Sequence, residues 1–236
     1  MEKGYKNLVF FFVLVAAITF IGFYKKYFSL APDFPGLKNI HHYHAIALTS
    51  WLSILIIQPV LIANKKMKLH RMIGKFSYIL VPFMFVSMIL AYHNQYLRFV
   101  NGGKPEAESL AFVFSPTTDA IPFVIYYLLA ILNKHDTPKH MRYMISTGIV
   151  IGGPGLARIF MTWMNMDIFA AIGIMTLITL LVFISFIVYD RIKKKQFRIN
   201  PFTIAFIIWL IPNILIIFFP NTALWQSIAK WMVTTV

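Results

Sequence analysis

Seven apolar runs of about 17 to 22 residues, separated by short polar connections, account for most of the chain. Hydrocarbon offers a backbone no hydrogen-bond partner, so runs of this length have to close their own bonds as helices. They fall at about 8–24, 44–63, 72–93, 117–133, 142–163, 168–189 and 201–219. The expected fold is all-α: an integral membrane bundle of seven transmembrane helices forming a single domain, 1–236. Composition agrees, since only 13% of residues are charged, against roughly a quarter in soluble domains. The first run resembles a signal peptide but is followed by no small-residue cleavage site, which makes it a retained span.

The formal charge of +14 does not point to nucleic acid, because the basic residues sit in the connections and form no aromatic-interleaved face. They sort by side instead. With the N-terminus inside, fifteen of the 22 Lys and Arg lie at the N-terminus and in 64–75, 134–142 and 191–198, leaving seven on the other side. That asymmetry predicts N-in, C-out topology in the cytoplasmic (inner) membrane of a bacterium. The last segment, 223–232, carries Trp225 and Trp231 and reads as a short interfacial helix. The absence of cysteine excludes disulfides, thiolate-held iron–sulfur clusters and covalently attached haem.

Chemistry concentrates in Lys139 to Arg158, KHMRYMISTGIVIGGPGLAR. Here Gly152-Gly153-Pro154-Gly155 predicts a break or tight packing in the fifth span, and Arg158 needs a partner inside the membrane. Asp119, near the same end of the fourth span, is the expected ion-pair partner. The histidines form two rims. His70 and His140 begin the third and fifth spans on the inner side, while His41, His42, His44 and His93 lie on the outer side. Two imidazoles from different helices can clamp a b-type haem. His70 with His140 forms one candidate pair and His44 with His93 another, His70 and His93 being about 34 Å apart along one helix. Alternatively, His41, His42 and His44 with Asp119 can gather zinc or copper.

Several elements together resemble an uncharacterised family of bacterial multi-span membrane proteins. His44 leads to Trp51 and Gln58, Leu69-His70-Arg71-x-x-Gly74-Lys75 follows, and then His140-x-Arg142-x-Met144 with Arg158 downstream. The resemblance covers residues 41 to 160. A looser similarity, to b561-type cytochromes, implies haem b held by histidines on neighbouring helices. The expected function is a membrane redox protein exchanging electrons between haem b and quinol, with Arg158 neutralising a propionate. Two other readings are a metal-ion or small-solute handling protein and a non-catalytic subunit or assembly factor docked on other membrane subunits.

Overall fold

Each apolar run becomes a helix, but polar helix formers carry several of the helices past the ends of the apolar sequence. The computed structural model describes residues 3–193 and 199–235. Among these lie α1 (Lys3–Tyr24), α2 (Asn39–Ala63), α3 (Met67–Asn101), α4 (Glu106–Phe112) and α5 (Thr117–Leu132). They are followed by α6 (Thr137–Trp163), α7 (Ile168–Ile192), α8 (Pro201–Leu215) and α9 (Ala223–Thr234), and the described residues include no strand. Of the basic connection expected over 191–198, residues 194–198 lie outside those described.

Six helical stretches have the length and composition to cross a membrane: Lys6–Tyr24, Asn39–Ala63, Met67–Asn101, Glu106–Leu132, Thr137–Trp163 and Ile168–Ile192. The seventh expected span is represented by α8, which is apolar but only 15 residues long. Large side chains lie bare on the outside of the bundle, with Phe10 71%, Ile79 72% and Phe169 81% exposed. Exposure on that scale suits lipid and would be a liability in water.

Local sequence explains the helix ends. Asn39 to Tyr43, expected before the second span, forms the first turns of α2, because the His41 ring nitrogen accepts from the Lys38 backbone N–H at 2.9 Å. Asp136 starts α6 by accepting from the Lys139 N–H at 3.2 Å, and the Lys139 ammonium lies 2.8 Å from the same carboxylate. That lysine hydrogen bond holds the Asp136 carboxyl below the usual carboxylate range. Asp167, Asn200 and Thr222 cap α7, α8 and α9 in the same way.

The largest departure from the sequence reading is α3. Its 35 residues rise about 52 Å, far beyond a hydrocarbon core of about 30 Å. Asn94-Gln95-Tyr96-Leu97-Arg98 is polar yet compatible with a helix, and the helix stops only at Gly102-Gly103, where Gly103 takes φ +83°. The overhang carries α4 and α9. The C-terminal helix packs on α4: Trp225 is buried, donates to the Leu110 carbonyl at 3.0 Å and T-stacks on Phe114. Lys230 reaches Glu106 at 3.1 Å, while Trp231 stays exposed.

Of the two expectations for the glycines, a break or tight packing, the structure takes the second. α6 runs unbroken from Thr137 to Trp163, including Gly152-Gly153-Pro154-Gly155. The glycines serve close packing. Gly148, Gly152 and Gly155 form one stripe against Phe12, Val15, Thr19 and Gly22 of α1. A Cβ on Gly155 would stand 2.7 Å from the Thr19 Cα, whereas one on Gly152 would meet only Val15 Cγ1 at 3.4 Å. Around this seam, α6 also packs on α5, α7 and α8, and α2 on α1 and α3. α3 lies along α2 and stands off from α5 and α6. Toward the His140 end side chains fill that gap, with Trp51 edge-on to Phe123 and Tyr127, and Ser77 hydrogen-bonded to the Tyr127 hydroxyl.

The seam predicts a contrast between two alanine substitutions. Gly155→Ala forces two backbones apart and is expected to cost about 1–3 kcal/mol. Gly152→Ala fits with a small shift and gains helix propensity, so its stability stays within about 1 kcal/mol of the parent. Thermal unfolding in detergent measures both; equal effects would contradict the packing described.

Candidate ligand cavity between the helices

Toward the Lys38 end, the gap between α3 and α5–α6 remains open as a cavity of about 770 Å³. Its walls are mostly apolar, with Met84, Met88, Phe123, Ile172 and Met175 among them. A few polar groups interrupt them: His44 from α2, Tyr92 and Gln95 from α3, Asp119 from α5 and Arg158 from α6. Lys38 and Arg98 add positive charge to the wall, and the Lys38 ammonium donates to the Asn94 side-chain carbonyl at 2.7 Å. Volume, apolar walls and few converging polar groups are the usual attributes of a small-molecule site.

Each polar group is held differently. Ser87 donates to the Met84 carbonyl at 2.7 Å, and the His44 Nδ1 lies 3.1 Å from the Ser87 oxygen. The serine proton is committed, so the imidazole must donate through Nδ1, leaving Nε2 as its lone pair. Asp119 rests against Gly153, where a Cβ would come 3.4 Å from a carboxylate oxygen, and its side chain lies near Trp209. The Tyr92 phenol is within electrostatic range of both Asp119 and Arg158.

Arg158 does not pair with Asp119. Its guanidinium donates to the Pro154 carbonyl of its own helix at 3.1 Å and lies over the Phe23 ring at 4.2 Å. The described residues include no Arg158–carboxylate ion pair. The deep ion pair is elsewhere: Arg142 donates to both oxygens of Asp190 at 2.6 and 2.7 Å, and also to the Pro138 carbonyl. Both side chains are buried, and Asn200 adds a third donor to the carboxylate. Sequence reading treated Arg142 and Asp190 as rim residues. The available signal was position, since the start of α6 and the end of α7 meet at one end of an antiparallel pair.

The remaining histidines separate. His42 shares a 2.8 Å hydrogen bond with Tyr27 and stands edge-on to Phe34, while His41 caps α2 at the cavity wall. Among the described residues, no group of three or more His, Asp or Glu side chains is placed to hold a metal ion. His93 is not on the cavity wall and its Nδ1 is buried without a partner, so His44 and His93 do not form the expected outer pair. One residue is about 100° of helix, and it is Tyr92 that points inward.

At the opposite end, His70 and His140 do come within electrostatic range of one another. The His140 Nδ1 faces the Ala130 carbonyl at 2.8 Å and must donate to it, so its Nε2 is left as a lone pair. An imidazole anchored by one nitrogen in this way is the arrangement of a metal-ligating histidine. The His70 Nδ1 is buried without a partner, and Gln58 donates to the His70 backbone carbonyl at 3.1 Å.

The cavity residues that sequence reading missed are Tyr92, Gln95 and Arg98. With Met84 and Met88 they form a stripe at spacings of three and four along α3. The stripe becomes visible only once the helix is known to continue to Asn101. Compared with protein-family models, curated proteins and solved structures, the chain matches none of them.

Proposed function

We propose that this membrane protein acts on a lipid-soluble small molecule bound in the cavity between α2, α3, α5 and α6. The observation that supports this is the cavity itself, whose apolar walls converge on His44, Tyr92, Asp119 and Arg158. A quinone-type carrier is one molecule of that description. Its ring oxygens accept hydrogen bonds from Arg158 and Tyr92, and its quinol form can give protons to the His44 Nε2 and the Asp119 carboxylate.

A second element of the reading is haem b at the other end, held by His70 and His140 and supplying one-electron transfer when bound. The anchoring of His140 on Ala130 favours it. Seven spans complete the topology, with α8 and residues 216–221 together crossing the bilayer. The N-terminus is placed in the cytoplasm of a bacterial cell and the cavity toward the outer face, following the distribution of Lys and Arg.

Three measurements test these parts separately. A solvent extract of the purified protein should contain about one lipid-soluble molecule per chain, and Ala91→Trp, which fills the cavity, should abolish it. Retention at full occupancy in Ala91→Trp would contradict the site. The dithionite-reduced spectrum should show a sharp α-band that disappears in His140→Ala. A featureless visible spectrum from cells supplied with haem removes the redox reading and leaves the cavity reading standing. Because the chain has no cysteine, Lys104→Cys and Lys134→Cys can report sidedness. An impermeant maleimide should label the first in intact spheroplasts and the second only after lysis, and the reverse order would invert the topology.

A further inference from the structure

Two arginines of α6, Arg142 and Arg158, differ in one respect that bears on what the cavity holds. Arg142 has a fully matched counter-anion, with both Asp190 oxygens and the Pro138 carbonyl in its fork. Arg158 is half-buried, lines the cavity and, among the described residues, meets the Pro154 carbonyl and the face of Phe23 with no carboxylate in reach. A guanidinium carries five N–H donors and stays charged in proteins. Inside a membrane protein such a charge is costly unless an anion or water-filled space compensates it. The nearby carboxylate, Asp119, does not compensate it, being turned toward Gly153 and Trp209.

The rest of the wall has the same sign. Lys38 and Arg98 share it with Arg158, and among the described residues Asp119 is its one acidic member. A mostly positive cleft with low-dielectric walls concentrates anions. Below the charged groups, Met84, Met88, Phe123 and Met175 offer an apolar body. The polar and apolar parts together describe an amphiphile with an anionic head.

We propose that the cavity takes a single-chain amphiphile bearing an oxyanion, a carboxylate or phosphate, with Arg158 as its counter-ion and Lys38 and Arg98 drawing it in. This rests on the cavity being a ligand site and gives that ligand an anionic head in place of the neutral quinone ring. The geometry of a guanidinium fork suits both oxyanions, so the choice between them is left to the experiment.

Native mass spectrometry of the full chain released from detergent provides the test, with oleate, dodecyl phosphate, oleyl alcohol and ubiquinone-1 as probes. The expected result is binding of oleate, dodecyl phosphate or both at least about tenfold tighter than the two neutral probes, the difference typical of one charge-assisted interaction. Arg158→Met should remove that preference and Arg158→Lys should retain part of it. Arg98→Gln, on the wall and away from the packed interior, provides a second reading if Arg158→Met fails to fold, and should weaken the anions alone. Asp119→Asn removes a like charge and should leave anion binding unchanged or tighter. Equal binding of oleate and oleyl alcohol overturns the anionic head while keeping the cavity as a site. Loss of anion binding in Asp119→Asn with retention in Arg158→Met overturns it by reversing the roles. Binding of none of the four probes contradicts the cavity reading itself.

Discussion

The close approach of α1 to α6 is the constraint on which the rest of the architecture depends. Gly148, Gly152 and Gly155 have no side chains to hold α1 away, and Gly22 meets Gly155 backbone to backbone. With no hydrophobic drive to bring helices together in lipid, van der Waals contact of this kind is what joins them. The helix that makes this contact stays continuous from Thr137 to Trp163 although it contains Pro154. Once α6 is pinned on that face, its other faces are fixed in space. Gly153 then receives the Asp119 carboxylate, Arg158 turns into the cavity, and Arg142 meets Asp190.

The second consequence is a bundle that is filled toward one end and open toward the other. α2 sits on α1, α3 follows α2, and α5 follows α6, which leaves α3 facing α5 and α6 across a gap. Trp51, Phe123, Tyr127 and Ser77 close it toward the His140 end. Toward Lys38 the gap stays open, and methionines are among the residues that line the space. Their flexible, polarizable side chains adapt to guests of irregular shape. The long α3 then carries α4 and α9 as a separate small core beside this open end, built on Leu110, Phe114 and Trp225.

The broad class was readable because a twenty-residue apolar run has one physical outcome in a bilayer. The all-helical fold and its spanning helices follow from this, and the helices start and stop close to where hydropathy changes. Where hydropathy and helix propensity part company, the sequence misleads. Asn94 to Arg98 is too polar for lipid but is a good helix, so α3 outruns its apolar segment by two turns. Residue 93 was chosen as a candidate ligand without knowledge of rotation about the helix, and Tyr92 takes the inward position instead. Asp119 and Arg158 both line the cavity, yet side-chain direction, which spacing does not encode, points them to different neighbours. Arg142 and Asp190 show the opposite case, since they were counted as surface charge and form the buried pair.

The central claim is that Arg158 is matched by an anion from outside the chain. An experimental map of the protein in a lipid nanodisc, purified without added ligand, tests it most directly. The account predicts elongated density in the cavity, with its compact end within hydrogen-bonding distance of the Arg158 guanidinium and its tail along Met84 and Met88. A map in which the cavity has collapsed and Arg158 is ion-paired with Asp119 would contradict it.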